Sequence, residues 1–438
     1  MKSLTLFDRR YFLKLAGAAP LLAYIAVRDA AEKALGAVSK TAKDDIYARI
    51  GVRPFINGRG TWTYLSGSLE LPEVRAAKQA AAQHFVDIFE LQHAVSRRLA
   101  ELSGAEAGMI TSGAAGAMAA ATAACIAGSD PARIWQLPDT AGLRHEVVMH
   151  GGRSAFDSAI RLAGGKLVLA REVDDVRAAI GENTAMIYTT SLGGTLEKLI
   201  AIAKQAKTPL LLDDAAGIPP LDNLKLYAKM GVDLYCFSGG KGLCAPQCSG
   251  LLLGRKDLIE AAMLNTSPWE GAVCRAMKVG KEEIMGCLAA VEAWMKMDLN
   301  ALNRQWNERA VRIRKLVDTV PGVKTEIRIP EEGNRYPTLA VSWDEDAWGF
   351  SVADCDKKLR AGDPRIEVLT SSNPSLVPAV QEGYEDPKAP KGRDRIEIVS
   401  MTLQPGEDLI VGKRLREILL SVGQRRALRG TPSPALRA

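Results

Sequence analysis

Short apolar segments alternate with longer helical stretches along most of the chain, and this alternation constrains the fold more than any other feature of the sequence. The predicted helices cover residues 72–103, 114–127 and 282–317. The predicted strands cover residues 107–111, 166–170, 185–190, 209–213 and 234–237, with 251–254 antiparallel or at an edge. Such an order is typical of a parallel β-sheet connected by crossover helices, so we predict an α/β protein.

A second, smaller α/β domain is predicted after the turn at Pro321-Gly322. Its strands are predicted at residues 323–329, 338–342, 366–369 and 396–400, and its helices at 351–360 and 406–422. A chain of 438 residues that is 47% hydrophobic has enough apolar material for two cores. We predict a large domain over residues 46–295, a small domain over 296–425 and a disordered tail over 426–438.

Composition argues against several classes of site. The seven cysteines lack paired CxxC spacing, which argues against a disulfide framework and against a zinc site, and no other metal site is predicted. Four histidines leave little material for a hydrolytic metal centre or a Ser/His/Asp triad. The net charge of +6 is scattered among almost as many acids, so it does not indicate a nucleic-acid partner.

The first 45 residues resemble a twin-arginine export signal and a linker. Arg9 and Arg10 precede Tyr-Phe-Leu-Lys and an apolar run over residues 15–27. The run is shorter than the roughly 20 residues that span a bilayer, so no membrane span is predicted. We therefore expect export to the periplasm by the twin-arginine machinery. The alternative is a cytoplasmic protein in which this segment packs on a partner subunit.

Lys241 is the candidate for the central chemical group. It lies in Phe-Ser-Gly-Gly-Lys-Gly over residues 237–242, directly after a predicted strand. A buried lysine there would carry a partly deprotonated amine, which can attack an aldehyde and bind pyridoxal phosphate as an internal aldimine. Tyr235 and Gly242 stand where a P-loop requires Gly and Ser or Thr, so this turn is not a P-loop. By itself, a lysine in a glycine turn usually belongs to an ordinary surface turn without a chemical role.

Two further groups that pyridoxal phosphate needs have candidates on neighbouring elements. Asp214 follows a predicted strand, and one crossover would bring it to the same sheet edge as Lys241, where it could hold the pyridine nitrogen. Asp213 is the alternative for that role, and either could instead cap a helix. The turn that contains Ser112, Gly113 and Ala114 opens a helix whose N–H groups could hold the phosphate, with Ser238 as an added donor.

Several of these stretches resemble one family. They are Phe85-Val86-Asp87-Ile88, Glu90-Leu91-Gln92, Thr111-Ser112-Gly113-Ala114-Ala115, Asp214-Ala215-Ala216, the lysine turn with Pro246-Gln247, and Leu403-Gln404-Pro405-Gly406-Glu407. In this order, over about residues 46–422, they are similar to the bacterial selenocysteine synthase (L-seryl-tRNA selenium transferase) family. The resemblance implies fold type I, with a mainly parallel seven-stranded sheet and a homodimer or higher homo-oligomer that shares active sites.

The resemblance also implies roles for residues. Lys241 would be the aldimine lysine, Asp214 the ring-nitrogen partner, and Ser112 and Gly113 the phosphate site. Asp214 is preferred to Asp213 because it precedes Ala-Ala-Gly. One departure is Gly152, which stands where the family is expected to have histidine; His150 could stack on the ring instead. The family's N-terminal tRNA-binding domain is replaced here by the export signal, so a tRNA partner is not expected.

We therefore predict a pyridoxal phosphate lyase or related enzyme that acts on a small amino acid or amino sugar acid by α-carbanion chemistry. Arg59, Arg153 and Arg395 are candidate clamps for carboxylate or phosphate groups of the substrate. The alternatives are selenium transfer on seryl-tRNA and a non-catalytic exported binding protein that has kept the fold.

Overall fold

A computed structural model describes residues 46–330, 335–370 and 395–429, with side chains up to residue 422 in the last segment. The predicted export signal and residues 430–438 of the predicted tail lie outside the described residues. Chain contacts divide the protein into two compact units, residues 1–55 and residues 56–438. In the first unit, the described residues include a single 3₁₀ turn at Ala48–Ile50.

The second unit holds nearly all of the regular structure. The strands are β1 (Phe55–Gly58), β2 (Ala107–Thr111), β3 (Glu146–His150), β4 (Lys166–Ala170), β5 (Thr184–Thr189), β6 (Leu210–Asp213), β7 (Leu234–Ser238), β8 (Gly250–Gly254), β9 (Lys324–Arg328), β10 (Thr338–Ser342), β11 (Arg365–Val368) and β12 (Ile396–Val399). The helices are α1 (Pro72–Ala81), α2 (Ile88–Ser103), α3 (Gly113–Ala127), α4 (Pro131–Gln136), α5 (Ser158–Leu162), α6 (Val173–Ala179), α7 (Gly193–Ala206), α8 (Asn223–Met230), α9 (Lys256–Leu264), α10 (Lys281–Trp294), α11 (Leu299–Val317), α12 (Glu345–Trp348), α13 (Val352–Ala361) and α14 (Glu407–Arg429).

A seven-stranded sheet in the order β2-β8-β7-β6-β5-β3-β4 forms the centre of the unit. Strands β3 to β7 pair in parallel, whereas β8 pairs antiparallel with both β7 and β2. Every residue of β2, β5 and β8 is buried, because helices cover both faces of the sheet. The predicted mainly parallel seven-stranded α/β fold is confirmed.

Two apolar clusters lie on the two faces of this sheet. In β6, Leu211 belongs to a cluster with the alanine-rich helix α3, and Leu212 belongs to a cluster with α7 and α8. Successive side chains of a strand point to opposite faces, which explains this division. Helix α3 is buried on nearly every side because its alanines allow close packing against the strands. The face that carries α3 is called the α3 face below.

The C-terminal part builds a smaller sheet in the order β12-β10-β9, with antiparallel pairing. Its core joins Val341 of β10 to Ile313 of α11, Leu359 of α13 and Leu415 of α14. Strand β1 pairs with β11 in a separate two-stranded sheet. The predicted strands and helices of this part are therefore present, whereas the predicted domain boundary at residue 295 stays a prediction.

Two predicted helices are wrong in extent, because each is two helices. The stretch 72–103 divides into α1 and α2, and the stretch 282–317 divides into α10 and α11. At each break an aspartate caps the second helix: Asp87 accepts from the N–H of Phe89 at 2.7 Å, and Asp298 from that of Ala301 at 3.0 Å. Strands β1 and β3 were not predicted, and α14 extends four residues into the predicted disordered tail. In the described part of the chain, no helix is long and apolar enough to cross a membrane.

Candidate active site

The candidate residues meet at one edge of the seven-stranded sheet. Strands β3, β5, β6 and β7 run in the same direction, and their carboxyl ends carry His150, Thr189, Asp213 and Ser238. The end of β2 joins this row, because Gly250 of β8 pairs with Ser238 on one side and with Thr111 on the other. Open α/β sheets bind ligands at this edge.

Lys241 follows β7 in a tight loop at that edge. The N–H of Gly239 donates to the carbonyl of Ser249 at 2.8 Å, and the N–H of Cys244 donates to that of Lys241 at 3.0 Å. The ammonium group lies 5.9 Å from the ring centroid of Phe156. Burial lowers the pKa of Lys241 below its ordinary value of 10.5, and the charges of Asp213 and, to a smaller extent, Asp214 oppose this shift. The fold therefore presents an amine that loses its proton more readily than a lysine in water.

Asp213 lies on the α3 face, where three donors hold its carboxylate. The hydroxyl of Tyr188 donates to Oδ2 at 3.0 Å and the N–H of Ala215 to Oδ1 at 3.1 Å. The Cys236 thiol lies 3.6 Å from Oδ1. Desolvation and this carboxylate together raise the pKa values of Tyr188 and Cys236, so both remain protonated donors. These contacts orient the carboxylate at the sheet edge near Lys241.

Asp214 is directed to the opposite face. Its carboxylate accepts from the buried hydroxyl of Tyr227 at 2.6 Å, and from Asn223 Nδ2 at 3.5 Å. A Cβ atom at Gly217 would come within 1.7 Å of Oδ2, so the carboxylate packs directly on that glycine. The structure thus brings Asp213 to the α3 face with the turn at the start of α3, and it places Asp214 in the other layer.

The turn between β2 and α3 forms an anion-binding geometry. Ser112 is the N-cap residue, yet its side chain makes no capping hydrogen bond. Gly113 has a φ of 76°, which residues with a side chain rarely adopt. A Cβ atom at Gly250 would come within 2.4 Å of the Gly113 carbonyl carbon, so two glycines allow this approach. The first N–H groups of α3, including that of Ala114, therefore face the sheet edge near Ser238.

His150 ends β3 at the far side of this edge. Its Nδ1 lies 3.1 Å from the hydroxyl of Ser191 and 3.4 Å from that of Thr189. Gly152 is exposed, and a Cβ atom there would meet open space. The structure thus places His150 with the other strand-end residues, and its role against a ring stays a prediction.

The three predicted arginine clamps differ in their surroundings. Arg153 forms an ion pair with the buried Asp157, and Arg395 donates to Glu397 Oε1 at 3.0 Å. Arg59 is buried, and no described residue accepts a hydrogen bond from its Nε or Nη1. Two of the three therefore already have carboxylate partners within the chain.

Comparison with known proteins identifies the family. The family model described as Aminotransferase class-V matches residues 168–345. The solved structure of a D-glucosaminate-6-phosphate ammonia-lyase has a TM-score of 0.70 at 28% identity, over 87% of this chain and 100% of that chain. An L-seryl-tRNA(Sec) selenium transferase from Moorella thermoacetica is 25% identical over 64% of this chain and 66% of its own length. A 5'-C-glycyluridine monooxygenase-decarboxylase from a Streptomyces species is 31% identical over 86% of this chain and 92% of its own length.

The chain belongs to the selenocysteine synthase-like family of fold type I pyridoxal phosphate enzymes. Its cofactor is pyridoxal phosphate, and the residues at the sheet edge fit that molecule. A buried amine of lowered pKa suits the aldehyde, an oriented carboxylate suits the pyridine nitrogen, and a helix N-terminus beside small residues suits the phosphate.

Sequence reasoning missed three residues that complete this selenocysteine synthase-like site. Tyr188 and Cys236 are donors to Asp213, and Phe156 lies over Lys241. Tyr188 and Cys236 lie inside continuous apolar strands, where nothing local marks a side chain that faces a carboxylate on the neighbouring strand. Phe156 follows β3, which was not predicted, so nothing in the sequence indicated that Phe156 lies near the edge of the sheet.

Proposed function

We propose that Lys241 binds the cofactor's aldehyde and moves the α-proton of an amino sugar acid, which then undergoes β-elimination or a related α-carbanion reaction. The observation that carries this proposal is the buried amine of Lys241, with its lowered pKa, beside the oriented Asp213. Bound pyridoxal phosphate supplies an electron sink for negative charge at the α-carbon. The Lys241 amine, when it is not holding the cofactor, would act as the general base that moves the proton at that carbon.

Asp213 is assigned the pyridine nitrogen, in place of the predicted Asp214. The phosphate cradle at the start of α3 and Asp213 belong to the same face of the sheet, whereas the Asp214 carboxylate is bound to Tyr227 in the other layer. Asp213 holds a proton on the ring nitrogen, and Tyr188 keeps the carboxylate aligned. We therefore propose Asp213 for this role instead of Asp214, which the resemblance implied.

The remaining predicted residues fill the other roles. Ser112, Gly113 and Ala114 donate to the phosphate through the N–H groups of α3 and the Ser112 hydroxyl, which caps no helix N–H of its own. Ser238 lies in the same row and adds a second hydroxyl. His150, at the end of β3, would stack on the cofactor ring. The phosphate is thereby bound by neutral donors and a helix dipole.

An amino acid carried on a sugar is the proposed substrate class. The ammonia lyase that resembles this chain is named for D-glucosaminate 6-phosphate, and the monooxygenase-decarboxylase for a glycyl group on uridine. Both names describe an amino acid joined to a polyhydroxylated framework. The monooxygenase-decarboxylase matches 86% of this chain and the seryl-tRNA enzyme 64%, which favours a small-molecule substrate.

The proposed assembly is a homo-oligomer. A cleft of about 250 Å³ lies between the start of α2 and the segment after α9, and its lining includes Phe89 and Trp269. Phe85 and Val86 precede α2 and are exposed, as are Phe89 and Trp269. A cluster of large exposed apolar side chains marks an interaction surface, and a second copy of the chain is the proposed occupant.

Export by the twin-arginine machinery to the periplasm is the proposed localisation. The support is the sequence of residues 8–27, where Arg9 and Arg10 precede an apolar run. This machinery carries folded proteins, which suits an enzyme that acquires its cofactor on folding.

The test of the proposed chemistry is borohydride reduction of the purified protein. We expect an absorption band that reduction abolishes, and pyridoxyl mass on the peptide that contains Lys241. Lys241→Ala should lack the label, whereas Lys256→Ala, an exposed lysine, should keep it. A protein that takes up no cofactor, or a label on another lysine, would overturn the proposed role of Lys241.

A further inference from the structure

Arg59 is a buried cation for which the described part of the chain provides no hydrogen-bond acceptor. Its side chain is 3% exposed, and Nε and Nη1 are buried without an acceptor. The guanidinium carbon lies 5.1 Å from the ring centroid of Trp62 and 4.9 Å from that of Tyr64. Burial and the neighbouring Arg360 lower the pKa of Arg59 to about 10. The rings thus hold the guanidinium in place without satisfying its donors.

The nearest carboxylates are already engaged by other arginines. Arg360 forms ion pairs with Asp356 at 3.1 Å and with Glu367 at 3.3 Å, and Arg365 also pairs with Glu367. Glu367 and Asp356 raise the pKa of Arg59 through their charge, and neither accepts a hydrogen bond from its Nε or Nη1. Among the described residues near it, Arg59 is therefore a surplus cation.

Burying a cation without a partner is costly, so its retention calls for a physical reason. Arg153 and Arg395, the other two candidate clamps, each pair with a carboxylate of the chain. Cation–π contacts with two rings offset only part of that cost. A buried donor that lacks a partner in the chain is what a site for an anionic ligand requires before the ligand binds.

The segment that follows Arg59 is attached to the lysine loop. The N–H of Ser68 donates to the carbonyl of Gly240 at 2.9 Å, and Gln247 Nε2 donates to the carbonyl of Thr63 at 2.7 Å. A Cβ atom at Gly67 would come within 2.5 Å of the Gly240 oxygen, so the two backbones touch. Arg59 thus begins a segment that lies directly on the loop of Lys241.

We propose that Arg59 binds the carboxylate of the substrate. This inference rests on the proposed function, in which the substrate is a sugar acid. A planar guanidinium with unused donors matches a carboxylate in shape and charge. Trp62 and Tyr64 are 44% and 40% exposed, so the guanidinium that they contact lies close to the protein surface.

The first test is the stability of the holoenzyme without substrate. Arg59→Met replaces the unpaired cation with an apolar side chain of similar length. We expect the thermal midpoint to stay level or rise, because the variant no longer buries an unpaired charge. Arg98→Met, an exposed arginine paired with Glu101 and Glu292, is the control and should change little. A fall of more than about 3 °C for Arg59→Met alone would mean that Arg59 has a structural role.

The second test is binding of D-gluconate, a sugar acid without an amine, measured by calorimetry on the holoenzyme. Arg59→Met should weaken binding about tenfold or more, and Arg59→Lys should weaken it less. D-Glucose, which lacks the carboxylate, should not bind, and inorganic phosphate should not compete. Arg98→Met should bind gluconate as the unchanged protein does.

Three results would overturn the assignment: no gluconate binding by the unchanged protein, equal binding by Arg59→Met, or competition by phosphate that depends on Arg59. The last would reassign Arg59 to a phosphate group. Gluconate has no amine and binds independently of Lys241. If gluconate binding fails but borohydride reduction leaves pyridoxyl mass on Lys241, only the assignment of Arg59 is rejected. If gluconate binds through Arg59 but Lys241 carries no label, the proposed chemistry is rejected.

Discussion

Asp213 and Asp214 are adjacent in the chain, yet their carboxylates belong to opposite layers of the molecule. Because side chains alternate along β6, Asp213 follows Leu211 toward the α3 face and meets Tyr188, whereas Asp214 meets Tyr227. A one-residue shift thus decides which carboxylate can reach a ring whose phosphate lies at the start of α3. The sequence alone does not establish that register.

Substitution of each aspartate separates the two roles. Asp213→Asn removes the charge proposed to hold the ring proton, and we expect turnover to fall by about 100-fold or more, with a changed absorption band of the bound cofactor. Asp214→Asn weakens the contact with Tyr227 and should cost about 1–3 kcal/mol of unfolding free energy, with the band unchanged. The opposite pattern, a spectral change in Asp214→Asn alone, would restore Asp214 to the cofactor.

The lowered pKa of Lys241 predicts a pH-dependent stability of the cofactor-free protein. Between the folded pKa and the ordinary value of 10.5, the unfolded chain binds more protons, so stability rises with pH in that window. Below this pH window, Lys241 is charged in both the folded and the unfolded protein, and the full cost of burying its charge lowers the stability. Lys241→Met should therefore be more stable than the unchanged protein at pH 7, by a margin that shrinks toward pH 10.5. Urea unfolding at both pH values measures the margin, and a constant margin would contradict the prediction; Lys256→Met is the exposed control.

At the residue scale, sequence motifs indicated which residues are candidates for the site, but they did not indicate which side chains those residues contact. The glycine turn marked Lys241, and the small residues after β2 marked Ser112 and Gly113. The sequence could not show that Arg153 is paired with Asp157 or that Arg59 has no such partner, because those contacts depend on side-chain packing.

At the scale of elements, helices α3 and α13 both begin at a serine, but the two serines do different things. Ser351 accepts from the N–H of Asp354 at 3.1 Å and forms a capping box, whereas the Ser112 side chain caps nothing. The Ser112 hydroxyl is therefore available for the phosphate in the proposed site, whereas the Ser351 hydroxyl is used by its own helix.

Alanine at each serine tests this contrast. Ser351→Ala should lower the unfolding free energy by about 1 kcal/mol through the lost cap, with cofactor affinity unchanged. Ser112→Ala should leave the stability of the cofactor-free protein nearly unchanged and weaken cofactor binding about tenfold, because a hydrogen bond to a charged group is lost. Urea unfolding and cofactor titration measure both, and equal losses of stability would contradict the contrast.

Periodicity predicted most elements, and its failures have more than one physical origin. Strands β2, β4 and β10 have the predicted bounds, because apolar runs between turn residues mark them well. The helix breaks before α2 and α11 were missed because the residues on both sides favour helix, and only the capping aspartates mark the new start. Strand β1 was missed because it has only four residues and ends in Asn57 and Gly58, so no apolar run marks it.

At the scale of the whole molecule, the exposed side chains around the α2 cleft predict self-association. Phe85 is fully exposed. Four residues further along the chain, Phe89 packs edge to face against Trp269, with 4.9 Å between the ring centroids. We expect Phe85→Asp to weaken the oligomer about tenfold or more, since a charge replaces a buried aromatic ring at the interface. Sedimentation velocity over a concentration series measures this. Ile410→Asp, a similar change on α14, is the control, and an unchanged series for Phe85→Asp would place the interface elsewhere.

The proposed localisation rests on the sequence of the first 45 residues and can be tested apart from the enzyme. A fusion of residues 1–45 to a reporter that functions only after folded export should give a periplasmic signal. Replacing Arg9 and Arg10 with lysine keeps the charge but removes the twin-arginine pair, and we expect this variant to retain the reporter in the cytoplasm. Export of both fusions would mean that the apolar run acts through another route. Retention of both would leave a cytoplasmic enzyme, in which the segment is free to pack on a partner subunit, so the Phe85→Asp series would then be repeated on a chain that lacks residues 1–45.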